Sequence, residues 1–147
     1  MGYTHDWDFT GKTDTKSFVS HMKKINKLVD LIVKRSKVKI CYDWDFPFVP
    51  YQNEVYGIRF NGMPDEYCET FLFNLYDTSG FCKTNREPYD IIVTAVLYSM
   101  QSVFPKKQFH WGSDGRCEEV DQEIIDGYQL FCDSTNYTGP DLLLVIR

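Results

Sequence analysis

Side chains able to do chemistry concentrate in three short stretches of this 147-residue chain. The richest is Phe81-Cys82-Lys83-Thr84-Asn85-Arg86-Glu87-Pro88-Tyr89-Asp90, which runs straight into the apolar segment Ile91 to Val96. It reads as a loop opening a helix, because Pro88 suits a first helical turn. A helix N-terminus carries unpaired backbone N–H groups and a partial positive charge. Lys83, Thr84 and Arg86 beside that end supply the donors a phosphate or carboxylate needs, with Asp90 closing the stretch. The loop lacks the glycines of a phosphate-cradling P-loop, so a capped helix start with a charged turn is the plainer alternative.

The second stretch is His5-Asp6-Trp7-Asp8. His5 titrates near neutrality, which suits a general base or a stacking partner, and equally a satisfied core histidine. Trp7 would stack on a ring. The third is Trp111-Gly112-Ser113-Asp114-Gly115, at the end of an apolar run. Trp111 offers a second ring, and Ser113 and Asp114 offer polar groups flanked by glycines that let a ligand approach backbone. Asp-Gly is also a favoured turn pair, and no nucleophile elbow surrounds Ser113.

These stretches must be positioned by a regular framework. Residues 2–8 alternate, which puts Tyr3, His5 and Trp7 on one strand face. After N-cap candidates Thr13, Asp14 and Thr15, the spacing of Phe18, Met22, Ile25, Val29 and Ile32 predicts an amphipathic helix to about Ser36. Short strands follow over 38–42, 55–60 and 69–76, the last two pairing antiparallel, with Asn61-Gly62 ending the middle one in a turn. Pro47 and Pro50 make 43–50 a loop. A buried helix is predicted over 89–103, a strand over 108–111, a third helix over 117–132 and a closing strand over 142–146. The acidic first turns of that third helix (Glu118, Glu119, Asp121, Glu123) suit the helix dipole without further role. The whole reads as one α+β domain, 1–147, with a mixed or antiparallel sheet of about five or six strands and three helices.

Composition narrows the classes. Aromatics make up 16% of the chain, with 10 Tyr and 11 Phe, enough to fill a core or to wall a pocket. No run approaches the ~20 apolar residues that span a bilayer, and residues 1–6 lack the pattern of a signal peptide. Five cysteines, odd in number and without a C-x-x-C pair, read as free thiols of a cytoplasmic protein. His5, His21 and His110 share no ligand spacing, so neither a metal nor a cofactor is expected. The net charge of −5 argues against general nucleic-acid binding. Residues 16–39 nevertheless hold eight basic residues against one acid, Asp30, an exposed helix face without interleaved aromatics.

Gly2-Tyr3-Thr4-His5-x-Trp7, Glu69-Thr70-Phe71, the Phe81-Cys82-Lys83-Thr84 to Pro88-Tyr89-Asp90 block and Ser113-Asp114-Gly115 together resemble a family of small uncharacterised proteins of bacteriophages and bacterial genomes. In this chain Asp6 stands where that family has tyrosine, and Asn85, Arg86 and Glu87 replace a more basic loop middle. The resemblance implies a phage setting in the host cytoplasm and no mechanism. Small phage accessory proteins often act by binding. The expectation is a protein that sequesters a nucleotide-like or phosphorylated small molecule, such as a host-defence signal. Lys83, Thr84 and Arg86 would hold the anion, His5, Trp7 or Trp111 would stack, and Asp114 would accept from a sugar or base. A nucleotide hydrolase or transferase, with His5 or Asp114 as general base, is the alternative. So is an inhibitor of a host protein, using Trp44, Phe46, Phe48 and Tyr51 as anchors. A homo-oligomer with its site near a subunit boundary is also expected.

Overall fold

The structure, a computed structural model, describes residues 3–10, 15–42, 51–53, 57–74, 79–115 and 119–144. In chain order the elements are β1 (Thr4–Phe9), α1 (Thr15–Arg35), β2 (Ile40–Cys41), β3 (Tyr51–Asn53), β4 (Gly57–Gly62), β5 (Phe71–Phe73), β6 (Ser79–Lys83), α2 (Asp90–Val103), β7 (Phe109–Ser113) and α3 (Gln122–Thr135). They form an α+β fold of three helices and two antiparallel sheets. One sheet has the order β6-β1-β7; in the other β4 pairs with β2, β3 and β5. A backbone bond from Glu69 N to Lys83 O, 3.0 Å, sets the chain entering β5 beside the end of β6 and joins the two sheets.

Alternation dictates which side of β1 is inside. Tyr3, His5, Trp7 and Phe9 are buried, while Thr4, Asp6 and Asp8 face outward. The inner sheet faces and the helices share one aromatic core. Trp7 meets Phe71 at 5.1 Å, Phe9 meets Phe73 at 5.5 Å, and Phe18 of α1 stacks on Phe73 at 6.1 Å. All five apolar positions expected of α1 are buried, and Lys34 and Arg35 sit in its last turn, where the dipole favours cations. Helix α2 is the central one, buried almost all round from Ile92 to Met100. Its contact with α3 is close because Gly127 has no side chain. A Cβ there would lie 2.4 Å from Thr94 Cγ2.

Several boundaries differ from those expected. Ser79–Lys83 is a strand rather than a loop, because β1 supplies backbone partners for it from Thr4 to Asp8. Pro88 precedes α2, whose first helical residue is Asp90. Asn61-Gly62 stays inside β4, since the Asn61 amide is held by Cys68 O and Thr70 Oγ1. The third helix starts at Gln122, five residues later than expected. Residues 142–144 form no strand; Tyr98 Oη and Tyr128 Oη pin them through Leu143 O and Leu142 N. The pairing of β4 with β5 is as expected, Arg59 lying opposite Leu72.

Candidate functional site

Strand β1 delivers His5 to the inner face of its sheet, and α2 delivers Asp90 to the same point from above. His5 Nε2 and Asp90 Oδ1 are 2.5 Å apart, and both side chains are almost fully buried. The Thr84 hydroxyl, at the end of β6, donates to the same Asp90 oxygen. Asp90 is the first residue of α2, so its carboxyl sits where the helix dipole favours negative charge. The helix mouth thus contains the chain's own acid at the position where a bound anion was expected.

Around this pair are rings. Tyr3 meets His5 edge-on at 5.3 Å, and Trp111 does so at 6.2 Å. Tyr3 is squeezed against Gly115, where a Cβ would lie 1.8 Å from its hydroxyl. Burial first, then the Asp90 charge, pushes the Tyr3 phenol well above its ordinary 10.0, with the Ser113 hydroxyl opposing them. Tyr3 is therefore a neutral donor at physiological pH. Two buried polar atoms of the pair, His5 Nδ1 and Asp90 Oδ2, make no hydrogen bond, and Tyr3 Oη has only the Ser113 hydroxyl beside it. Buried polar atoms without partners are uncommon in folded proteins, and several in one place call for an explanation.

Arg86 closes the outer side. Glu87 N donates to Thr84 O at 3.0 Å, forming a tight turn in which Asn85 (φ 54) and Arg86 (φ 60) are both left-handed. Asparagine tolerates that region; for arginine it costs about 1 kcal/mol. What holds it there is visible. The guanidinium lies 4.1 Å from the Tyr3 ring centroid and donates to Glu123 Oε1 at 2.7 Å and Asp121 Oδ2 at 3.0 Å. These two hydrogen bonds push its pKa further up, so the charge is permanent. Asp121 occupies the N-cap of α3 and its backbone carbonyl accepts from Ile124 N and Ile125 N, but its side chain does not cap the helix; the carboxylate is turned to Arg86.

The structure therefore gathers His5, Thr84, Asp90, Trp111 and Ser113, with Arg86 at the rim. It does not gather the rest. Lys83 lies opposite Thr4 and points to the other face of the sheet, away from His5. Trp7 and Trp111 are 2% and 1% exposed, which makes them core rings rather than an open stacking wall. Trp111 is further fixed by donating to Gln101 Oε1. Asp114 clamps the start of β1: its Oδ2 accepts from Thr4 N at 3.1 Å and its N–H donates to Thr4 O. The Asp-Gly pair thus serves as a turn. Tyr3, Asp121 and Glu123 belong to the site though the sequence did not mark them. Tyr3 shares the His5 face, which was the one available signal; the acids lie 35 and 37 residues from Arg86.

Cys82 lies opposite His5 across the β1–β6 pair. Burial pushes the Cys82 thiol up to about 12, so it is a poor nucleophile. Among the described residues Cys41, Cys68, Cys82 and Cys132 form no disulfide, and Cys117 lies outside the described residues. Among the described residues no group of three His, Cys, Asp or Glu could hold a metal ion, and no helix is long and apolar enough to cross a membrane. Trp44, Phe46 and Phe48, expected as interface anchors, lie outside the described residues, and β3 begins at Tyr51.

Comparison of the chain with protein-family models, with curated proteins and with solved structures finds no match. The reading of this site rests on its own geometry.

Proposed function

We propose that this protein acts by binding, and that it retains a nucleotide-like or phosphorylated small molecule at the Tyr3–Arg86–Ser113 rim above the His5–Asp90 pair. The observation behind the proposal is the group of buried polar atoms without full partners: His5 Nδ1, Asp90 Oδ2 and, less completely, Tyr3 Oη. A ligand hydroxyl or amine would donate to Asp90, and Tyr3 would donate to a ligand oxygen. A phosphate would compete with Asp121 and Glu123 for Arg86, which is half-exposed and strained by its left-handed backbone. Burial gates access to the pair in either reading: His5 is 0% and Asp90 2% exposed, so a ligand or substrate reaches them only if Tyr3 or the Arg86 turn moves. In the phage setting that the resemblance implies, such behaviour would remove a host signal from circulation.

The test is calorimetric titration with a panel of nucleoside monophosphates, diphosphates and cyclic nucleotides, followed by denaturation and mass spectrometry of what is released. The expected result is saturable binding of at least one class, at least tenfold weaker in Arg86→Ala, with the ligand recovered intact. Absence of binding throughout the panel at millimolar concentration would overturn the proposal. A second reading, a nucleotide hydrolase, is favoured by one observation: the His5–Asp90 bond orients an imidazole whose other nitrogen is unengaged. Recovery of a chemically altered ligand, abolished by His5→Gln, would select it.

A further inference from the structure

Helix α1 turns its apolar stripe into the core and its opposite side to water. Phe18, Met22, Ile25, Val29 and Ile32 are buried, whereas Lys16, Lys23, Lys24, Lys27, Lys34 and Arg35 are exposed. At 3.6 residues per turn, Lys16, Lys23, Lys27 and Lys34 fall within about 20° of one line along the helix. That row runs for about 27 Å at 1.5 Å per residue. Asp30 is the one acid of α1. Among the described residues, none of these six cations makes an ion pair or a hydrogen bond. Lys23 and Lys27 stand one turn apart and repel each other. Lys16 sits in a first turn without acids, at the end where the dipole disfavours a cation. The row thus runs against the preferences of the helix that carries it.

We propose that this face of α1 docks on the phosphate backbone of a nucleic-acid duplex. The argument is charge complementarity, narrowed by what the face lacks. A protein partner needs an apolar or aromatic centre to bury, and Leu31, beside the row, is the one large apolar side chain that α1 exposes. A bilayer takes up the apolar side of an amphipathic helix, which here lies in the core. A single strand stacks on rings, and the exposed side of α1 has none. A duplex needs none of these. It is a straight rod of phosphates, and lysines neutralise them as point charges without reading base edges. The whole chain carries −5, so the contact is confined to this cationic side.

Fluorescence anisotropy of a labelled duplex DNA of about 20 base pairs, titrated with the native chain at several salt concentrations, tests this. The expected result is a Kd of about 1–100 μM at 0.1 M salt, the same for unrelated base sequences. The logarithm of affinity should fall against that of salt with a slope of about −4, near one unit per lysine of the row. Lys23→Glu/Lys27→Glu should weaken binding at least tenfold and bring the slope about two units closer to zero. Lys106→Glu/Lys107→Glu makes the same charge change at exposed positions outside α1 and should weaken binding less than threefold. Circular dichroism checks folding; if the first double variant does not fold, Lys23→Gln/Lys27→Gln decides in its place. No binding at 50 mM salt with about 200 μM protein would overturn the proposal, as would equal losses from the two double variants. Tighter capture by anionic vesicles or by polyglutamate than by the duplex would also overturn it, in favour of a membrane or an acidic protein.

Discussion

The two sheets solve the problem of an inner face differently. The four-stranded sheet turns Ile58, Phe60, Phe71 and Phe73 inward, and every one of them is apolar and fully buried. The three-stranded sheet, built with the same alternation and sharing the same core, places His5 among its buried positions and roofs it with Asp90 and Thr84. The first arrangement gains from area removed from water. The second gives up part of that gain and must satisfy each polar atom it buries. Proteins often depart from local rules where they bind or react, and this difference is what marks the inner face of the three-stranded sheet as the candidate site.

The largest expected effect separates the two faces directly. Phe73→Ala should cost about 3–5 kcal/mol in urea unfolding, by transfer and cavity together. His5→Ala should cost a similar amount, roughly 3–5 kcal/mol, because Asp90 loses its buried partner. The double variant His5→Leu/Asp90→Leu should recover at least about 2 kcal/mol of that loss while abolishing ligand binding. No double change restores the cavity left at Phe73. If the double variant is no more stable than His5→Ala, the polar face is not held at a cost to stability and the contrast collapses.

A smaller effect comes from pH. Burial holds the Cys82 thiol at about 12 against 9.0 when exposed, and it raises the phenols of Tyr3 and Tyr89 above 10.0. Above pH 9 the unfolded chain therefore releases these protons before the folded one. The folded state binds more protons there, so its stability falls as pH rises. For Cys82 alone the loss at pH 10 is roughly 1 kcal/mol, and Cys82→Ala should flatten the decline between pH 9 and 10 by that amount. An unchanged slope would mean that the thiol is not shielded as the structure indicates.

How far the chain's own letters anticipated this contrast depends on how local each feature is. The apolar stripe of α1 was legible because Phe18, Met22, Ile25, Val29 and Ile32 repeat within one helix. The inward turn of Tyr3, His5 and Trp7 was legible from a period of two. Strand β6 was not. Ser79-Gly80-Phe81-Cys82-Lys83 has weak strand character of its own and becomes a strand because β1 offers it an edge. The joining of His5 to Asp90, 85 residues away, depends on the same tertiary placement. The anion seat expected at α2 was sound as electrostatics, but Asp90 already occupies the helix's first position. Lys83 was misassigned for want of a register: one residue along β6 reverses its face.

The smallest expected effect concerns Arg86. Glycine there would remove two exposed ion pairs, worth little, and would also relieve a left-handed backbone. Arg86→Gly should thus alter stability by no more than about 0.5 kcal/mol, read by thermal melting. A loss of 2 kcal/mol would make that turn a structural clamp and move it to the apolar side of the comparison.

The position of β1 has a consequence for assembly. It lies between β6 and β7, so its six residues cannot be enclosed until segments 70 to 110 positions downstream exist. During synthesis, Trp7 and Phe9 therefore wait in the open while α1 and the β4–β5 hairpin have all their local partners. Such distant pairing slows folding and leaves apolar surface available to chaperones or to other nascent chains. The insertion of β1 also brings His5 to Asp90, so the candidate site is completed only when the two halves of the molecule close on that strand.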